Sequence, residues 1–140
     1  MKKQIIILGS IALLFLVIFF SLVLIPNRTI KYDMDINVST DKIIGFNVGT
    51  DAVHFGKVPS EKATGRSADA IRELTVNSGD SDVKVTIKTS GDMGSWVTIE
   101  PNEFYLNKNQ SKVVELTARV PYYVEPGFYT GKVIVTLVEK

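Results

Sequence analysis

The stretch Asp33-Met34-Asp35-Ile36-Asn37 places oxygen-bearing side chains at every second position, the spacing with which a calcium-binding loop opens. Such a loop takes a glycine at its sixth position and a chelating glutamate at its twelfth; counted from Asp33, these are Val38 and Ile44. The intervening Met34 and Ile36 suit a buried face, so the alternation reads as a half-buried strand and calcium is not expected. His54 is the only histidine and cysteine is absent, so a zinc site would have to be mostly carboxylate. Neither a Ser-His-Asp nor a Cys-His arrangement has a supporting motif. His54 is therefore expected to be an ordinary surface residue on an edge strand. Asp80, Asp82 and Asp92 fall in turns on either side of one strand, expected at opposite ends of it, where aspartate acts as a turn former. No glycine-rich phosphate cradle occurs. The expectation is a chain without catalytic residues, metal ligands or cofactors, and not an enzyme.

The elements that must carry these residues are of two kinds. From Ile5 to Ile25 the 140-residue chain has no charged side chain, and only Gly9, Ser10 and Ser21 interrupt the apolar run. As a helix, 21 residues reach about 31 Å, matching a hydrocarbon core of about 30 Å. A cleaved signal peptide has a shorter apolar region and a small-x-small site, whereas Pro26-Asn27-Arg28-Thr29 follows here. The expected organisation is a short basic N-terminus over 1–4, an uncleaved single-span signal anchor over 5–25, a linker over 26–31 and a β-sandwich over 32–140.

Lys2 and Lys3 precede the run while Arg28 and Lys31 follow it, a small positive-inside margin. With only four residues ahead of the run, nearly the whole chain lies on one side, expected to be outside the cytoplasm. The sequons at Asn27, Asn37 and Asn109 are candidate N-glycosylation sites in an exported chain. After the run, 14 basic and 15 acidic side chains are interspersed without a block of either sign. Nucleic acid, which needs a clustered basic surface, is not an expected partner.

The rest of the chain reads as short strands separated by Gly, Pro, Asn and Asp turns. Tyr32, Met34, Ile36 and Val38 alternate with polar residues, as do Val83, Val85 and Ile87, and Val114, Leu116, Ala118 and Val120. Further strands are expected at Ile43–Val48, Ala52–Phe55, Ala70–Asn77, Trp96–Ile99, Phe104–Leu106 and Tyr129–Val138. The stretch Gly56–Ser67 reads as loop, with room for a helical turn ahead of the strand that begins at Ala70. Eight or nine strands without helical periodicity fit an all-β sandwich. Phe55, Trp96, Phe104 and Tyr129 are the expected large plugs of its core, and Pro59, Pro121 and Pro126 the expected strand ends.

Four segments, VHFGKVPS, LTVNSGDSDVKVTI, WVTIEPNEFYLNKNQSKVVELTARVP and EPGFYTGKVIV, resemble an Ig-like pattern. They are similar to the sandwich modules of the major-sperm-protein, PapD-like and ASH group. They look closer still to small single-pass archaeal membrane proteins with such a module outside the cell. The resemblance covers roughly Ile43 to Val138 and implies an Ig-like antiparallel β-sandwich. The Glu61–Asp69 stretch departs from it, being longer and more polar than the usual tight turn. Modules of this kind bind many unrelated partners.

The function these readings suggest is an adaptor or scaffold of the cell envelope, working by protein–protein contact through a sheet edge such as Tyr129–Val138. Its expected partners are the membrane and an unidentified envelope protein, with homo-oligomerisation as an alternative. A stator-like component associated with the archaellum is a narrower version. A type IV pilin-like filament subunit is the other, although Lys3 precedes Gln4 and no glutamate stands near the start of the apolar run.

Overall fold

The computed structural model describes residues 27–41, 52–66 and 68–140. The apolar run 5–25, the expected strand Ile43–Val48 and the turn after it lie outside the described residues. Among the described residues no helix is long and apolar enough to cross a membrane.

Eight strands are described: β1 (Asn27–Ser39), β2 (Val53–Pro59), β3 (Asp69–Asn77), β4 (Val83–Gly91), β5 (Val97–Glu100), β6 (Glu103–Leu106), β7 (Ser111–Arg119) and β8 (Gly127–Glu139). They form a five-stranded sheet in the order β2-β1-β8-β4-β6 and a three-stranded sheet in the order β3-β7-β5. The fold is all-β, with one apolar core drawn from both sheets. Met34, Ile36 and Val38 of β1, Val83, Val85 and Ile87 of β4, Val133, Val135 and Leu137 of β8, and Val114, Leu116 and Ala118 of β7 are all buried. Each set is one side of a period-two strand, so the same alternation that defines the strands decides what they bury. Phe55 and Phe104 join this core, while Trp96 and Tyr129 are only partly buried and meet edge to face at 4.9 Å.

Three expectations are corrected. The final strand is not an edge: β8 lies between β1 and β4, paired with β1 from Gly127 to Val138 and with β4 from Gly131 to Glu139, so both flanks are occupied from Gly131 onward. The sheets are not wholly antiparallel, because β1 and β2 run parallel, with Met34 beside Val53 and Val38 beside Val58. Finally, Asn27 to Lys31 are strand and not linker. Their side chains are exposed, so burial did not recruit them; pairing with Val138, Leu137, Thr136, Val135 and Ile134 of β8 did.

The stretch expected as loop after Phe55 is also more ordered than its sequence suggested. β2 continues to Pro59, and one helical turn, α1 (Glu61–Thr64), follows. Ser60 caps it by accepting from the Ala63 N–H, and Gly65 closes it at φ 70°. On β2 a bulge centres on Gly56, at φ 79°. Asp35 faces His54 and Asn37 faces Lys57, so β2 carries one residue more than β1 across this step. The bulge lets Phe55 and Val58, three apart, both reach the core, and it turns His54 and Lys57 to the same outer face.

Candidate contact surfaces

The end of the molecule remote from Asn27 is built by β1, β8 and the connection from β7 to β8. Asn37 pairs with Phe128 there, ten residues along β1 from Asn27, or about 33 Å of strand. The connection is Pro121-Tyr122-Tyr123-Val124-Glu125-Pro126. Val120 and Val124 are buried and the Val124 N–H bonds the Pro121 carbonyl at 3.1 Å, closing a turn pinned at both ends. That leaves Tyr122 and Tyr123 no inward course, and they stand 61% and 77% exposed. The loop is braced by a Tyr129 hydroxyl donating to the Glu125 carbonyl at 2.8 Å and by Lys62 of α1 against Glu125 at 3.1 Å. Phe128 is 66% exposed on the outer face of the larger sheet. Three large aromatic side chains thus lie on one braced end in contact with water.

Beside Phe128 the outer face sinks into a cleft of about 540 Å³ lined by Asp33, Asp35, Ser90, Asp92, Thr130 and Lys132, with Met34, Gly91 and Gly131 completing it. Lys132 pairs with Asp33 at 2.5 Å, and His54 Nδ1 lies 2.6 Å from Asp35 Oδ2. His54 is on an edge strand as expected, but it is not an ordinary surface residue: the Gly56 bulge sets it over Asp35, and its side chain is only 12% exposed. The apparent calcium loop is strand, with Asp33, Asp35 and Asn37 all on the outer face and two of the three committed to side-chain partners.

Asp80 and Asp82 lie before β4 and Asp92 after it, at opposite ends as their spacing implied. Asp82 Oδ1 accepts the Lys108 N–H at 2.7 Å, a turn-bracing bond. Among the described residues no group of three His, Cys, Asp or Glu side chains is disposed to hold a metal ion. The three sequon asparagines are exposed. Asn27 and Asn109 share the end where β1 begins, the latter at φ 59° with its N–H on the Gly79 carbonyl at 2.7 Å; Asn37 stands at the other end.

The smaller sheet presents a different face. Glu73, Glu115 and Glu100 occupy one rung across β3, β7 and β5, like charges in directly opposed positions. Four rungs away, on the same face, Arg119 grips Asp69 through Nε at 2.8 Å and Nη2 at 2.6 Å. Those hydrogen bonds hold the Asp69 carboxyl below its ordinary range, against the opposing effect of its slight burial, and raise Arg119 further.

The aromatic end was not foreseen from sequence, although two adjacent tyrosines between closely spaced prolines were its signal. What these surfaces offer chemically is aromatic contact area, carboxylates in excess, and hydrogen-bonding pairs already oriented. Comparison with known protein families and with curated proteins finds no match.

Proposed function

We propose that this chain is a cell-envelope adaptor: an Ig-like module held to the membrane by residues 5–25 and lying outside the cytoplasm. It contacts another envelope protein through the end bearing Tyr122, Tyr123 and Phe128. The observation that carries the reading is the spacing between two apolar features. The charge-free run ends just before Asn27, while the exposed aromatic residues stand about 33 Å along β1 at the opposite end. A bilayer cannot cover that end in a module standing up from the membrane, and exposed aromatic clusters on a braced surface are typical of interface centres. Anchoring confines the module and its partner to one plane and raises their effective concentration.

The test is cross-linking in native cells with a photoreactive residue at Tyr123, followed by detergent extraction of the full-length protein and mass spectrometry. A stoichiometric envelope protein cross-linked at Tyr123 is the expected result. Capture of copies of the same chain would replace the adaptor with a self-assembling subunit. Protein released from membranes by alkaline carbonate would remove the anchor from the reading.

A further inference from the structure

We propose that the cleft beside Phe128 receives an arginine side chain of the partner; the inference rests on the adaptor reading and names the chemistry of its contact. The cleft opens on the same end as the exposed aromatic residues, with Phe128 common to both. Its floor is backbone at Met34 and Gly131, whose side-chain directions turn into the core, with Gly91 opposite Gly131 in the ladder. Its walls carry three carboxylates, Asp33, Asp35 and Asp92, against one cation, Lys132. Lys132 satisfies Asp33, and His54 bonds Asp35. Asp92 has no ion-pair partner among the described residues.

Charge complementarity selects the occupant. An anion meets an excess of carboxylates, and an apolar group would strip water from them without replacing its hydrogen bonds. A cation gains from the carboxylates and from the ring of Phe128 together. Between the two side-chain cations, guanidinium is the better match. It is planar, stacks on an aromatic ring, sheds water more readily than an ammonium and bonds a carboxylate through two donors at once. Arginine is also the charged residue most favoured at the centre of protein interfaces.

The experiment follows backbone amide shifts of the full-length protein in detergent micelles, at constant ionic strength. The probes are N-acetyl-arginine amide, the uncharged citrulline analogue and the lysine analogue. Arginine is expected to shift Ser90–Asp92 and Phe128–Lys132, with lysine weaker and citrulline inert. Asp92→Asn is expected to weaken arginine binding by about tenfold, the loss of one charge-assisted contact. Phe128→Ala should weaken it by a smaller factor. Glu73→Gln, which makes the same change of net charge on the other sheet, should leave it intact. Equal binding of citrulline, lysine as good as arginine, or an Asp92→Asn variant that binds normally each overturns the inference.

Its failure is separable from that of the adaptor reading. Arginine binding without a cross-linked partner in cells would keep the cleft and remove the adaptor. A partner whose cross-links survive Asp92→Lys and Phe128→Ala would do the reverse.

Discussion

Arg72 of β3 donates its Nε hydrogen to the backbone carbonyl of His54 on β2, at 2.6 Å, and its Nη1 to the carbonyl of Ile71 at 2.8 Å. The two strands are edges of different sheets. One guanidinium therefore occupies a carbonyl on each and ties the sandwich shut along that side. Edge strands left bare invite pairing with other chains, and a charged residue laid across them is one way to prevent it.

Arg72→Leu should lower stability by about 1–3 kcal/mol, the range for a hydrogen bond from a charged donor whose loss leaves its acceptors unmet. It should also promote association that rises with concentration. Denaturant titration reads the first effect and light scattering the second. A variant as stable and as monomeric as the parent would show that the guanidinium is not a closure.

Ser78 is wholly buried, its hydroxyl donating to the Asn107 carbonyl at 2.8 Å and accepting the Gln110 N–H at 3.1 Å. Ser78→Ala should cost about 0.5–1.5 kcal/mol, because the Asn107 carbonyl and the Gln110 N–H each lose one of two partners while their mutual bond at 3.0 Å remains. The denaturation midpoint should fall with an unchanged slope. An unshifted midpoint would mean that the turn rearranges to satisfy them.

Gly131 has no room for a methyl group. A Cβ there would lie 2.5 Å from Met34 Cε and 2.6 Å from the Ser90 carbonyl oxygen. Gly131→Ala should destabilise by about 1–3 kcal/mol through overpacking. Adding Met34→Ala should not restore the loss, since the Ser90 carbonyl belongs to the neighbouring strand and stays in place. Full rescue by the double variant would locate the clash in the flexible side chain alone.

Asp69 links stability to pH. Its carboxyl is lowered in the folded chain, so the stabilisation is complete above the unfolded carboxylate range near pH 4 and is lost as pH falls through the folded value. Because the pair is largely exposed, the effect on the acid unfolding curve should be small. The direct measurement is the carboxyl carbon titration of Asp69 by NMR. Its midpoint should move up in Arg119→Gln, and a midpoint indifferent to that change would contradict the pairing.

The buried faces of β1, β4 and β7 were legible because burial on one side of a strand writes itself into the sequence as alternation, visible at Met34-Ile36-Val38 and at Val114-Leu116-Ala118. Strand order was not legible. Tyr129–Val138 looks the same in sequence at a sheet centre as at an edge, since the difference lies in which strands fold against it. Asn27–Lys31 carried no alternation because its side chains are exposed and it is held by backbone pairing with β8, with Arg28 also donating to the Ser78 carbonyl at 2.7 Å. The surroundings of His54 depended on one glycine: without the bulge at Gly56, neighbouring side chains would alternate and the position of His54 relative to Lys57 would differ. Arg72 gave no sign of its role, which is a contact between distant strands.

β1 runs the length of the larger sheet with β8 on one flank, in register from Asn27 to Val38, and β2 on the other. A pull applied between Asn27 and the Tyr122–Tyr123 end is directed along that strand. It loads the two ladders in shear, so their hydrogen bonds must yield together and not one after another as in unzipping. The first described strand is thereby a tension member: a molecule drawn between two attachments would resist force in the direction in which its sheet is strongest.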